Sequence, residues 1–182
     1  MANFKPLLGS IFRYIIFGAA SYLIVCGLVY FFSDDSIFLP PKQHYKTLPG
    51  LHYIDTSAGK IATVYLSNPK AKFTLLYSQG NASDLGYSYR LLQLTAQKGY
   101  NVFAYDYNGY GMSEGKPSEK NTYLDIDAAY RYLRDVKHVP ANRIIIMAHS
   151  LGTGVAVELA THVKAAGLIL ESPYLSIYRT QT

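Results

Sequence analysis

The sequence predicts a doubly wound, mostly parallel α/β sheet of about six strands, preceded by one membrane-spanning helix. From residue 51 onward, short apolar runs alternate with longer amphipathic stretches, the pattern of strands joined by crossover helices. Earlier in the chain, Tyr14 to Phe32 carries no charged residue over about the length a helix needs to cross a hydrocarbon core. Finally, the 182 residues are 49% hydrophobic and 16% charged, too apolar for a disordered chain and sufficient for one domain with an appendage.

Taken in order, residues 1–13 read as a cytoplasmic N-terminus, 14–32 as the transmembrane helix, 33–50 as a stalk and 51–182 as the globular part. A buried helix would show a polar face, and here only Ser21 and three small residues break the apolar run. A cleaved signal peptide is the stronger rival, but the run ends in Val29-Tyr30-Phe31-Phe32, bulky residues where a peptidase needs small ones. Cys26 is the only cysteine, so neither an intrachain disulfide nor a zinc ribbon can form, and the Leu-Ile-Val before it does not suit lipoprotein processing. Lys5 and Arg13 precede the helix while Asp34 and Asp35 follow it, which predicts a single-pass protein with its globular part on the far side of the membrane. The paired prolines of Phe38-Leu-Pro-Pro-Lys-Gln-His-Tyr favour an extended, stiff connection.

Beyond the stalk, Leu51 to Thr56 and Lys60 to Ser67 flank Ser-Ala-Gly as an opening hairpin. Phe73 to Ser78, Asn101 to Tyr107, Arg143 to His149 and Gly167 to Leu170 are apolar enough to be buried strands. Helices are expected over Asp84 to Lys98, Ser118 to Lys137 and Leu151 to Val163, with Gly99 and Gly167 near two of their ends. The net charge of +5 is spread among tyrosines, glycines and acids without a basic run, so a nucleic-acid partner is not expected.

The chemistry is expected where a buried strand, Ile144-Ile-Ile-Met-Ala-His, runs through Ser150 into Leu151-Gly-Thr-Gly. Such a strand–serine–helix turn strains the serine backbone and requires small residues two before and two after it, here Ala148 and Gly152. Ser150 is therefore the candidate nucleophile, with the positive end of the following helix directed at any oxyanion formed beside it. A second loop, Tyr77-Ser-Gln-Gly-Asn-Ala-Ser-Asp-Leu-Gly, leaves an earlier strand at the matching place. The backbone amides of Asn81 and Leu151 are the candidate oxyanion donors, with Ala82 the near alternative to Asn81. An ordinary capping serine at 150 and a plain left-handed turn at Gly80 are the structural alternatives.

Those two segments, together with Tyr105-Asp-Tyr-Asn-Gly-Tyr-Gly-Met-Ser-Glu-Gly-Lys-Pro-Ser-Glu, Asp125-Ile-Asp-Ala-Ala-Tyr and Leu170-Glu-Ser-Pro, resemble the α/β-hydrolase-domain family over about residues 50 to 180. The likeness is nearest to its membrane-anchored serine hydrolases, the branch that includes protein depalmitoylases. It implies hydrolysis of an acyl ester or thioester through Ser150 with no metal and no organic cofactor, and nothing in the residues points to peptide hydrolysis. Gln79 stands where the family usually has histidine before Gly-Asn, a change expected to alter loop support more than chemistry.

The family's order also places an acid and then a histidine after the serine. Residues 151–182 contain one histidine, His162, roughly 18 Å from Ser150 along the intervening helix and so out of reach. His149, adjacent to Ser150, is expected to point away from it as a packing or supporting residue, Glu171 to be structural, and Asp84 and Asp106 to shape the pocket or brace loops. With the chain ending at Ile177-Tyr-Arg-Thr-Gln-Thr soon after a buried strand, a C-terminally truncated hydrolase is expected. The alternatives are a non-catalytic membrane-tethered remnant and one half of a split enzyme whose C-terminal half is a separate polypeptide.

Overall fold

The computed structural model describes residues 5–175, in two units, Met1–Ile37 and Phe38–Thr182. In the first, α1 (Lys5–Ile37) is one helix of 33 residues. Its stretch Phe12–Ile37 is long and apolar enough to cross a membrane, and none of it is buried. The helix runs past the expected Phe32 because Ser33 and Ser36 return their hydroxyls to the carbonyls of Tyr30 and Phe32 in its last turns. Two residues after its end comes Leu39, which precedes Pro40 and is thereby pushed out of helical geometry.

The second unit contains, in chain order, β1 (Leu51–Thr56), β2 (Gly59–Leu66), β3 (Thr74–Ser78), α2 (Leu85–Gln97), β4 (Asn101–Tyr105), α3 (Glu119–Arg131), β5 (Ile144–His149), α4 (Leu151–Ala160) and β6 (Gly167–Glu171). The strands form one six-stranded sheet in the order β1-β2-β4-β3-β5-β6. The β1–β2 and β2–β4 pairs are antiparallel, and the other three are parallel. This is the expected hairpin followed by βαβ units. Side chains alternate across it as pleating requires. Val64, Leu75, Tyr77, Val102 and Ala104 pack with Leu85 and Leu92 of α2, while Ile61, Leu76, Phe103, Ile144 and Ile146 are buried within the sheet's core beneath α3 and α4. Helix α2 is capped by Asp84, whose carboxylate accepts the Tyr87 N–H, and α3 by Ser118, which accepts the Asn121 N–H.

Three expectations change. Residues 38–50 are extended but do not form a free stalk: Phe38 is 5% exposed, Tyr45 is 7% exposed, and Tyr45 belongs to the core cluster on the α2 side. The helix expected over Ser118 to Lys137 loosens after Arg131 into a π turn, Tyr132–Val136, where the Tyr132 ring meets Phe103 and His52 and the Lys137 ammonium lies over it. Strand β6, expected to be buried, is the outer edge of the sheet among the described residues, with Leu168 40% and Ile169 46% exposed. The expected chain end at Ile177 to Thr182 lies outside the described residues.

Helix α3 also fixes the loop after β4. Asp125 is fully buried and accepts the Asn108 N–H at 2.7 Å through one oxygen, while the other has no partner among the described residues. Burial pushes its carboxyl up to about 7, against the pull of that N–H. The unfolded chain releases this proton near the ordinary carboxyl value of 3.8 and the folded chain near 7, so rising pH removes stability between those limits. Asp125→Asn keeps the acceptor and cannot ionise. The variant is expected to gain on the wild type by up to roughly 1.4 kcal/mol per pH unit between about pH 4 and 7, read from denaturation midpoints of both chains in detergent. Parallel pH profiles would refute the assignment.

Candidate active site

Strands β3 and β5 are parallel neighbours whose C-terminal ends, Ser78 and His149, lie at the same edge of the sheet. From β3 the chain moves to β4 on one side, and from β4 it crosses back beyond β3 to β5. The crevice between the two outgoing loops is the switch point of the sheet, where this architecture places its ligands.

Ser150 occupies that point between β5 and α4 with φ 49° and ψ −118°, in a region non-glycine residues rarely enter. Three hydrogen bonds to two neighbours hold it there. Its N–H donates to the Glu171 carbonyl at 2.9 Å, and its own carbonyl accepts the Thr153 N–H at 2.9 Å and hydroxyl at 2.7 Å. The Ser150 hydroxyl makes no capping bond to α4, so the capping alternative does not hold. Packing explains the small flanking residues. Ala148 is fully buried, and a Cβ at Gly152 would lie 2.5 Å from the Ser78 carbonyl oxygen and 2.8 Å from that of Gln79. Farther along α4, Gly154 leaves room for the Tyr174 ring, whose hydroxyl donates to the Leu151 carbonyl at 3.3 Å.

The loop after β3 lies against this turn. Gly80 is not in the left-handed region. It is glycine because a Cβ there would meet the His149 Nδ1 at 2.9 Å and the Ser150 Cβ at 3.5 Å. Its neighbours are tied from behind. Gln79, 1% exposed, donates from Nε2 to Asp106 Oδ1 at 2.7 Å, and its carbonyl accepts the Tyr107 hydroxyl at 2.7 Å. The Asn81 side-chain oxygen accepts the Tyr110 hydroxyl at 2.6 Å and the Leu39 N–H at 2.9 Å. Asp106 accepts the Leu85 N–H at 2.8 Å and the Tyr45 hydroxyl as well. Burial lifts its carboxyl to about 6, with the Tyr45 and Gln79 donors pulling the other way.

A cavity of about 560 Å³ opens between these loops, lined in part by Ser150, Gly80, Asn81, Tyr77, Tyr87 and Leu91. It thus brings together the candidate nucleophile and the loop carrying one candidate oxyanion donor. Leu151, carrying the other, begins α4 directly after Ser150, and Ala82 also lines the cavity. His149 packs on Gly80 and is among the residues lining the cavity. Glu171 lines it too, at the end of β6, while its carbonyl holds the Ser150 N–H. His162 lies past the end of α4, paired with Asp127 at 3.1 Å, a contact that raises its pKa. Asp84 and Asp106 brace loops, as their positions suggested. Sequence reasoning missed His44, Tyr87 and Leu91 in the wall and Leu39 and Tyr110 behind it; the apolar face of α2 was legible, but the return of residues 38–45 onto the domain was not. Among the described residues no group of three metal-ligating side chains comes together.

The family model described as serine aminopeptidase, S33, matches residues 69–181. Alpha/beta hydrolase domain-containing protein 17B of Xenopus tropicalis is 47% identical over 124 residues, which are 66% of this chain and 43% of that protein. Protein 17C of Mus musculus is 47% identical over 109 residues, 59% of this chain and 34% of that one. The chain thus spans less than half the length of these curated relatives. Among solved structures, an alpha-beta hydrolase of Vibrio vulnificus superposes with a TM-score of 0.63 at 25% identity, over 71% of this chain and 47% of that one. A monoglyceride lipase variant of Saccharomyces cerevisiae, at 19% identity and a TM-score of 0.57 over 72% of this chain and 47% of its own, shares the fold.

The strain at Ser150 is measurable. Ser150→Gly places a residue tolerant of positive φ at that position and is expected to unfold about 1 kcal/mol harder than Ser150→Ala, which keeps the strain. Gly152→Ala, driving a methyl into two backbone oxygens, is expected to cost about 3 kcal/mol or more. Equal denaturation midpoints for the two Ser150 variants would show that the turn is unstrained.

Proposed function

Because this chain belongs to the α/β-hydrolase family described as serine aminopeptidase, S33, we propose that it is a serine hydrolase acting on an acyl ester or thioester. One observation carries the reading: Ser150 sits in the strained turn with its hydroxyl uncommitted to the helix cap and lines the cavity at the switch point of the sheet. In the proposed reaction the Ser150 oxygen bonds to the acyl carbon while a base takes its proton, and the carbonyl oxygen becomes an oxyanion received by the amides of Asn81 and Leu151. Collapse breaks the bond to the leaving alcohol or thiol, which departs with that proton, and water then releases the acid and restores the serine. The apolar walls at Tyr77, Tyr87 and Leu91 suit an acyl chain.

The base and the acid that orients it are proposed to come from polypeptide outside this chain, as the family's order places both after the serine. Within the chain His162 pairs with Asp127, His149 packs on Gly80, and His44, which also lines the cavity, pairs with the Asp84 carboxylate that caps α2. In the cell, α1 anchors the protein in a membrane, with the basic Lys5 and Arg13 on the cytoplasmic side and the domain opposite.

A fluorophosphonate probe, which bonds to an activated serine, tests the reading on the full chain in detergent. Labelling that disappears in Ser150→Ala is the expected result for a chain retaining an activated serine, and labelling restored only on adding the C-terminal half of a relative is the expected result if the base lies outside. A folded chain left unlabelled in both settings would favour the non-catalytic membrane-tethered alternative.

A further inference from the structure

We propose that residues 38–45, which follow α1 in the chain, are a positioning element for the oxyanion loop, acting through the hydrogen bond from the Leu39 N–H to the Asn81 side chain. The inference rests on the reading of the Asn81 amide as an oxyanion donor, and it concerns residues that do not touch substrate.

Pro40 and Pro41 have no N–H, so Leu39 is the only main-chain donor in the run 39–41. That donor meets Asn81 Oδ1 at 2.9 Å, where the Tyr110 hydroxyl also arrives at 2.6 Å, so both lone pairs of one side-chain oxygen are filled. The segment is then pinned twice more. The His44 N–H donates to Asp84 Oδ2 at 2.8 Å at the start of α2, and the Tyr45 hydroxyl donates to Asp106. Asp106 in turn holds Gln79 at 2.7 Å. Both residues flanking Gly80 are therefore tied to the segment, Asn81 directly and Gln79 through one carboxylate. Gly80 itself is pressed against His149 and Ser150, with no room for a methyl group. A loop held this closely on one side and released on the other would lose the alignment of its amides, and misplacing one such donor costs about two orders of magnitude in kcat.

Leu39 also permits a clean test. Its side chain is 56% exposed, so Leu39→Ala keeps the N–H and changes little else, whereas Leu39→Pro removes the N–H. Tyr110→Phe removes the second donor with the ring retained. Hydrogen exchange of the amides of residues 80–83 and the rate of fluorophosphonate labelling are measured on the full chain in detergent. Exchange about tenfold faster in Leu39→Pro and in Tyr110→Phe, but not in Leu39→Ala, is the expected result. Where the wild type labels, the same two variants should label about tenfold slower, through kcat-type rates and not probe affinity. Wild-type exchange in both donor-deleted variants would overturn the proposal, whatever the labelling does. If exchange responds while the wild type stays unlabelled both alone and with the C-terminal half of a relative added, the hold on the loop stands and the hydrolase reading of this chain fails.

Discussion

The upper edge of this domain depends on one buried carboxylate. Asp106, fully buried where β4 leaves the sheet, accepts the Gln79 side-chain amide, the Leu85 main-chain amide and the Tyr45 hydroxyl. Each donor belongs to a different piece of chain: the loop beside Ser150, the first turn of α2, and the segment that follows α1. A charge this deep is tolerable only with donors on both oxygens. Even with three, burial keeps its carboxyl raised to about 6. Gly111 completes the cluster, because a side chain there would enter the space of the carboxylate, 1.9 Å from Asp106 Oδ2.

Around that cluster the site is built from close approaches more than from large side chains. Gly152 allows α4 to meet the carbonyls ending β3, and Gly80 allows the β3 loop to meet Ser150. The Glu171 carbonyl and Thr153 hold the serine backbone in its rare conformation. Gly152, the Glu171 carbonyl and the Thr153 N–H make backbone-to-backbone contacts while Gly80 meets the His149 ring and the Ser150 Cβ, and together they leave little freedom in the distance between the serine oxygen and the amides beside it. Preorganisation of this kind is what stabilising an oxyanion requires, since donors that must reorient lose most of their effect.

Much of this was legible in the sequence because periodicity and small-residue spacing are local signals. Val102-Phe-Ala-Tyr and Ile144-Ile-Ile-Met-Ala-His announce buried strands, and Ala148, Ser150 and Gly152 announce the turn. What escaped depends on contacts made across many residues. Phe38-Leu-Pro-Pro reads correctly as extended, yet nothing in its composition says that Leu39 meets a residue 42 positions away or that Tyr45 fills the core. His149 illustrates a subtler limit: a packing role was legible, but not that it packs on Gly80 in the wall of the cavity, because that contact joins the ends of two different strands. Strand β6 differs for a third reason: its composition allows burial, and among the described residues no further strand pairs with its outer edge.

Gln79, at the place where the resemblance leads one to expect histidine, shows how the cluster and the site are joined. Glutamine retains the feature that Asp106 needs, an N–H donor at 2.7 Å, and leaves the carbonyl of residue 79 free to take the Tyr107 hydroxyl. What it cannot supply is positive charge. A histidine that protonated beside Asp106 would favour the ionised carboxylate and lower its pKa, whereas the neutral amide leaves desolvation as the largest influence, consistent with the raised value here. Tyr45 then takes on more of the task, donating its hydroxyl to the same carboxylate, while burial and the nearby Asp106 charge hold its own proton firmly in place. The Tyr45 donor arrives from the segment after α1, so the loop beside Ser150 is joined to that segment through Asp106.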